Sequence, residues 1–273
     1  MSAGPFARLP AALETTLMLW RYWSILVATT RVELKKRYAG SAFGLVWVVL
    51  YPAMLLGVYI FVYMVIFSMR FPGYSEFEYV LYVFCGLIPY LGLWEGVSNG
   101  TMSVKQNMHL VKNVMLPIEL IPVRSVTVSM VSQMVSLLVV IVLVAWGGLV
   151  TPHLLWLPVV LVLQMMFLFG LVYVLAGLAV VLPDIAYVVN LMMLLLLFIS
   201  PIGFKPEMIP AGWDLLVTLN PVYYMIEMYR TSLLYGDFPE PRIAAIYVAI
   251  CGLMFLAGCA FFRRFKNMLV DYE

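Results

Sequence analysis

Four basic side chains lie close together near the start of the chain, and their charge suits phosphate groups: Arg31, Lys35, Lys36 and Arg37. Apolar side chains recur around them near helical spacing: Trp20, Trp23, Val27, Leu34 and Tyr38. Tryptophans interleaved with basic groups are typical of a helix that lies on a membrane surface and contacts lipid phosphates. A soluble helix packed on another protein is the alternative. The pattern predicts one amphipathic interface helix, over about 17–38, within an N-terminal region of residues 1–43.

Aromatic side chains follow at intervals of four, with Leu55 completing the row: Trp47, Tyr51, Tyr59, Tyr63 and Phe67. Residues four apart are neighbours on a helix surface, so the row would form one slanting ridge. The apolar face of a sugar ring can lie against an aromatic ring, and a tyrosine hydroxyl can bond a sugar hydroxyl. We therefore expect these residues to line a channel. Helix packing and the membrane interface are the alternatives.

A third set of residues combines turn-forming side chains with a pair of opposite charges: Pro201, Asn220, Pro221, Glu227 and Arg230. Glu227 and Arg230 are three residues apart, a spacing that brings them together on a helix. Charges inside a membrane are costly and usually mark functional positions. We expect this set to hold an external gate closed, with a purely structural ion pair as the alternative.

Several kinds of chemistry have no residues to carry them. No Gly-Lys dipeptide occurs, which excludes a phosphate-binding loop of the G-x-x-x-x-G-K-[ST] type. His109 and His153 lie far apart in the sequence, and Cys85, Cys251 and Cys259 lie in apolar runs. The sequence therefore predicts neither catalytic residues nor a metal site. A net charge of +2 gives no indication of nucleic-acid binding.

The composition requires the bilayer as the main solvent, with 64% hydrophobic and 11% charged residues against about 25% charged in a soluble domain. In lipid an apolar segment must be a helix, because its backbone groups find no water. We therefore predict an all-α integral membrane protein with six transmembrane helices. Their limits are about 44–68, 79–100, 123–148, 154–182, 185–203 and 243–262, forming one domain of residues 44–262.

The distribution of basic residues predicts the orientation. Arginine and lysine are concentrated in residues 1–43, in the loop after the second predicted span and in residues 263–273. Because basic loops remain cytoplasmic, both termini should be inside, as an even number of spans requires. Residues 204–241 then lie outside. Their charges argue against a lipid-facing span and favour a re-entrant helix pair before the last helix.

Three stretches in register resemble one family. The first is Leu34–Tyr38 followed by Ser41, Gly44, Trp47 and Pro52; the second is Asn107–Pro122; the third is Ser200-Pro201-Ile202, Asn220-Pro221-Val222, Glu227 and Arg230. Each resembles the corresponding part of permeases of the ABC-2 type, and together they extend from about Arg31 to the end of the chain. Within that family the likeness is greatest to permeases that export polysaccharide, those for O-antigen above all, with capsule and teichoic-acid exporters as cousins.

The resemblance implies a homodimer of permeases with two copies of a separate ATPase. ATP and Mg²⁺ would bind that ATPase, and this chain would bind no cofactor. The expected substrate is a lipid-linked polysaccharide crossing the bacterial plasma membrane, and the basic residues of the interface helix would contact membrane lipids or guide its pyrophosphate. An ABC-2 exporter of drugs or lipids, a membrane enzyme acting on lipid-linked sugars and an ion-coupled carrier are the alternatives.

The loop after the second span is the predicted site of contact with the ATPase. Its middle is polar on one side and offers apolar side chains that could fill a groove. The residues expected to form this coupling segment are Gln106, Asn107, Met108, His109, Leu110, Val111, Lys112 and Asn113. A solvated loop is the alternative.

Overall fold

The computed structural model describes residues 10–66, 74–109, 116–210 and 212–272. Within these ranges the chain forms helices joined by turns, and no strand occurs among them. The predicted all-helical class is therefore confirmed for the described part of the chain.

The N-terminal region contains two helices where the sequence pattern predicted one. Helix α1 spans Ala11–Arg21 and helix α2 spans Trp23–Tyr38. They are separated at Tyr22, whose backbone leaves the helical conformation at φ −101° and ψ 17°. The prediction of a single interface helix over 17–38 is therefore wrong. The two helices also have different neighbours, since α1 packs against the last helix whereas α2 packs against a different span. Trp20 and Trp23, on either side of the break, are both largely exposed.

Among the described residues, five helices are long and apolar enough to cross a membrane, and all five coincide with predicted segments. Helix α3 spans Trp47–Ile60 and continues as a π-helix over Phe61–Ile66. Helix α4 spans Glu76–Thr101 and is followed by the short helix α5, Ser103–Gln106. Helix α6 spans Leu120–Trp146, helix α7 spans Leu157–Val181 after a 3₁₀ turn at Pro152–Trp156, and the last helix spans Pro241–Tyr272.

The remaining predicted span, 185–203, contains a shorter helix. Helix α8, Ile185–Ile199, has 15 residues and is about 22 Å long, whereas the hydrocarbon core is about 30 Å thick. It ends at Ser200, whose backbone is extended, because the residue before a proline disfavours the helical conformation. The presence of six complete spans therefore stays a prediction.

The segment predicted as a re-entrant pair does contain two short helices. Helix α9 spans Asp214–Thr218, and helix α10 spans Pro221–Arg230 with a π-helical continuation over Thr231–Tyr235. Asn220 caps α10 by accepting a 2.9 Å hydrogen bond from the backbone N–H of Val222. The last helix, α11 (Pro241–Tyr272), begins soon afterwards. This helix continues through the predicted cytoplasmic tail, 263–273, as far as Tyr272.

Helix α4 is the centre of the fold, since it packs against α3, α6, α7, α8 and α10 and residues 81–90 are all buried. A second close contact joins α7 to α11. A Cβ atom on Gly170 would fall on the backbone of Met254, and one on Gly258 would fall on the backbone of Gly170. The glycines let these two helix backbones approach within a distance that any side chain would prevent.

Candidate functional site

A cavity of about 450 Å³ opens between the end of α2 and helices α3, α4, α6 and α8. Arg37 and Glu95 form an ion pair at this cavity, and each side chain keeps about a quarter of its surface exposed. Arg37 also lies 3.5 Å from the Ser132 hydroxyl oxygen. Glu95, on α4, thus binds a residue that precedes it by 58 positions. The contact joins the interface helix to the central span.

The rest of the cavity wall mixes aromatic rings with neutral polar groups. The aromatic members are Trp47, Tyr51 and Trp94, and the amides are Asn99, Gln133 and Asn190. The Ser98 hydroxyl donates a 2.6 Å hydrogen bond to Asn190 Oδ1. Aromatic faces beside amide and hydroxyl groups suit a ligand that has both apolar C–H faces and many hydroxyls. One charged pair in the same wall adds a group that can bind an anion.

The structure divides the predicted aromatic row. Trp47 and Tyr51 line the cavity, whereas the rings of Tyr59 and Tyr63 stack with centroids 5.7 Å apart. Tyr59 is buried and its hydroxyl donates to the Leu197 carbonyl on α8. Phe67 lies outside the described residues. One copy of the chain therefore exposes Trp47 and Tyr51 to a cavity and bonds Tyr59 to its own helix α8.

Three buried side chains connect helices α6, α7 and α10, and sequence reasoning did not single them out. Gln133 and Gln164 exchange two hydrogen bonds, of 2.8 and 2.9 Å, and Tyr229 bonds both amides. Gln164 also donates to the Pro89 carbonyl on α4 at 3.1 Å. The signal in the sequence was a glutamine in the middle of each of two apolar helices, since a polar group there requires a buried partner.

Arg230 is the centre of the predicted gate and is completely buried. It forms a 3.0 Å ion pair with Glu227 and donates to the carbonyls of Pro201 and Ile202 at 2.7 and 2.9 Å. Its guanidinium also lies 3.5 Å from the centre of the Tyr82 ring. The charge is thus neutralised within one copy of the chain, and it holds the turn after α8 against α4 and α10.

Three further side chains hold the same turn. Tyr79 and Tyr82 donate hydrogen bonds to the carbonyls of Gly203 and Phe204 at 3.1 and 3.0 Å, and Asn220 donates to the Ser200 hydroxyl at 2.9 Å. With Pro221 as the first residue of α10, all five predicted gate residues lie at or beside this turn. Their contacts form a fixed structural unit, and a gating role remains a prediction.

The predicted coupling segment is only partly described. Gln106 and His109 are exposed, whereas Met108 is buried and the Asn107 amide oxygen accepts a 3.0 Å hydrogen bond from Arg124 on α6. Asn107 and Met108 therefore hold the segment to the rest of the fold. Leu110, Val111, Lys112 and Asn113 lie outside the described residues.

Ion pairs connect the start of α6, which follows this segment, to other helices. Arg124 approaches Glu33 on α2 to 3.9 Å, and Lys266 on α11 binds Glu119 at 2.8 Å. Arg263 and Lys266 also lie 3.5 and 3.8 Å from Glu14 on α1. These ion pairs link the start of α6 to α2 and α11, and α11 to α1. Within the described ranges, no cluster of three or more histidine, cysteine or acidic residues could hold a metal ion.

Comparison with known proteins shows the family of the chain. Residues 25–234 match the ABC-2 type transporter family. The chain belongs to the ABC-2 type transporter family. The ABC-2 chain is therefore a multi-pass membrane permease component and not an enzyme, as the sequence predicted.

Two relatives of this ABC-2 permease carry the same description, an O-antigen export system permease protein RfbA. The relative from Myxococcus xanthus is 27% identical over 90% of this chain and 94% of its own length. A relative from Klebsiella pneumoniae is 26% identical over 95% of this chain and 99% of its own length. The resemblance found in the short motifs therefore extends over almost the whole ABC-2 chain.

Proposed function

We propose that this ABC-2 permease forms the membrane path of an exporter that moves a lipid-linked, O-antigen-like polysaccharide across the bacterial inner membrane. ATP hydrolysis on a separate subunit drives the transport. The observation that carries the proposal is the similarity, over at least nine-tenths of the chain, to proteins described as O-antigen export permeases. The chemistry of the cavity agrees, since Trp47, Tyr51 and Trp94 stand beside amides and an ion pair.

The proposed assembly contains two copies of the permease and two of the ATPase. A second copy would cover apolar surface that one copy leaves open on α3, including exposed Tyr51, Met54, Val58 and Phe61. Six spans with both termini in the cytoplasm would place the coupling segment Gln106–Asn113 on the ATPase side. The ion pairs of Glu33, Glu119 and Glu14 would then transmit movement of the ATPase to α2, α11 and α1.

The proposal is tested by deleting the gene and analysing the lipid-linked glycan that remains in the cell. Polymer should accumulate on its lipid carrier inside the cell and disappear from the surface, and a plasmid copy of the wild-type gene should restore the surface polymer. A plasmid encoding the ATPase subunit alone is the matched control and should restore nothing. A deletion strain with normal surface glycan and altered tolerance to drugs would instead support an exporter of small amphiphiles.

A further inference from the structure

An apolar groove lies beside the cavity, between α2, the start of α3 and α6. Its volume is about 730 Å³, and its apolar walls include Trp23, Val27, Leu34, Val131 and Val135. This volume lies within the range of about 300–1,000 Å³ that is usual for ligand sites. A groove of this size with mostly apolar walls suits a hydrocarbon occupant.

The polar groups at the groove indicate the chemistry of what covers it. Arg31 and Lys35 line it and are exposed. Thr30 lines it as well, and its buried hydroxyl finds no hydrogen-bond partner among the described residues. The neighbouring Thr29 bonds the carbonyl of Ile25 at 2.8 Å, as threonines in helices commonly do. A hydrocarbon occupant with an anionic, oxygen-rich end would complement the apolar wall and the two cations.

The groove and the cavity adjoin. Val48 and Ser132 line both, and Ser132 lies 3.5 Å from Arg37 of the cavity's ion pair. The groove, with Arg31 and Lys35 in its wall, therefore adjoins the guanidinium of Arg37, and Arg37 adjoins a cavity of aromatic and amide groups. A lipid-linked glycan has the same order of a hydrocarbon tail, a diphosphate and sugars.

We propose that the groove and the cavity together bind the junction of the substrate, with the tail in the groove, the diphosphate at Arg37 and the first sugars in the cavity. This inference rests on the proposed function and names the part of the substrate that the site holds. A diphosphate at Arg37 would compete with Glu95 for the guanidinium, so binding would break the contact between α2 and α4. An anionic phospholipid would fill the groove but would leave the cavity without a partner, which separates it from a glycan carrier.

Binding in the groove is tested by measuring the rate at which an introduced cysteine is alkylated, with and without a substrate analogue. The protein is the purified permease–ATPase complex in phosphatidylcholine nanodiscs. Val135→Cys places a thiol in the groove, and Val142→Cys, two turns along the same helix and exposed, is the control. The three native cysteines are buried and should react little. A farnesyl diphosphate-linked disaccharide should slow alkylation of the groove thiol about tenfold and that of the control less than about twofold. Equal protection by phosphatidylglycerol, or none by the probe, would overturn the inference.

Affinity measurements test the groove, Arg37 and the cavity separately. Val131→Trp should fill the groove and weaken binding of the disaccharide probe about tenfold, whereas Val142→Trp should not. Arg37→Gln should weaken the binding of the disaccharide probe and of farnesyl diphosphate alike. Asn99→Ala should weaken the binding only of the probe that carries sugars. Unchanged affinity in both Val131→Trp and Arg37→Gln would refute the site even if gene deletion still caused carrier-linked glycan to accumulate. Conversely, absence of that accumulation would refute the proposed function itself.

Discussion

Replacing Arg230 by methionine should destabilise the permease more than any other single charge removal suggested by the structure. The side chain is fully buried, pairs with Glu227 at 3.0 Å and donates to two carbonyls within 2.9 Å. Methionine fills a similar volume but leaves the carboxylate unpaired and the carbonyls of Pro201 and Ile202 without their donor. Breaking a buried pair by removing one partner costs about 3–5 kcal/mol.

A loss of about 4 kcal/mol corresponds to a fall of about 10 °C in the melting temperature of a chain of this size. The assay is thermal unfolding of the purified permease in detergent, followed by fluorescence. Arg242→Met, which removes an exposed arginine at the start of α11, should change the melting temperature by less than about 2 °C. The melting temperature of Arg230→Lys should lie between those of Arg230→Met and Arg242→Met, because an ammonium keeps the charge but cannot reproduce the planar set of donors of the guanidinium.

The reasoning would be refuted if Arg230→Met melted within about 2 °C of the wild type. Glu227→Gln tests gating directly, since the amide keeps an oxygen acceptor for Arg230 but removes its counter-ion, which should cost up to about 3–5 kcal/mol. If this variant assembles normally and the resting ion leak through the membrane is unchanged, the pair stabilises the turn but does not gate a channel.

Three further predictions concern packing, the buried amides and coupling. Gly170→Leu should prevent assembly because its Cβ would fall on the backbone of α11, whereas Gly252→Leu, with open space around it, should elute as the wild type in gel filtration. Gln133→Leu should cost about 2 kcal/mol by leaving its two buried partners incompletely bonded, and an unchanged thermal melt would contradict this. Leu110→Asp should abolish co-purification of the ATPase, and intact association of this variant would remove the coupling segment from this role.

The transmembrane class and most span limits follow from the sequence because the bilayer imposes one rule on every segment. Apolar runs must form helices long enough to cross it, and five predicted runs are such helices in the structure. The errors occur where a local backbone preference competes with hydropathy. Pro201 ends α8 at Ile199, and the conformation of Tyr22 divides the interface helix.

The sequence alone established that this chain is a helical membrane protein without its own phosphate-binding loop, because composition and the absence of a motif need no spatial information. It also indicated Glu227 and Arg230 as a pair, since a spacing of three fixes their contact on a helix. Only the tertiary structure could bring together Arg37 and Glu95, or Gln133, Gln164 and Tyr229. Their separations along the chain carry no periodicity, and the contacts depend on how whole helices pack around α4.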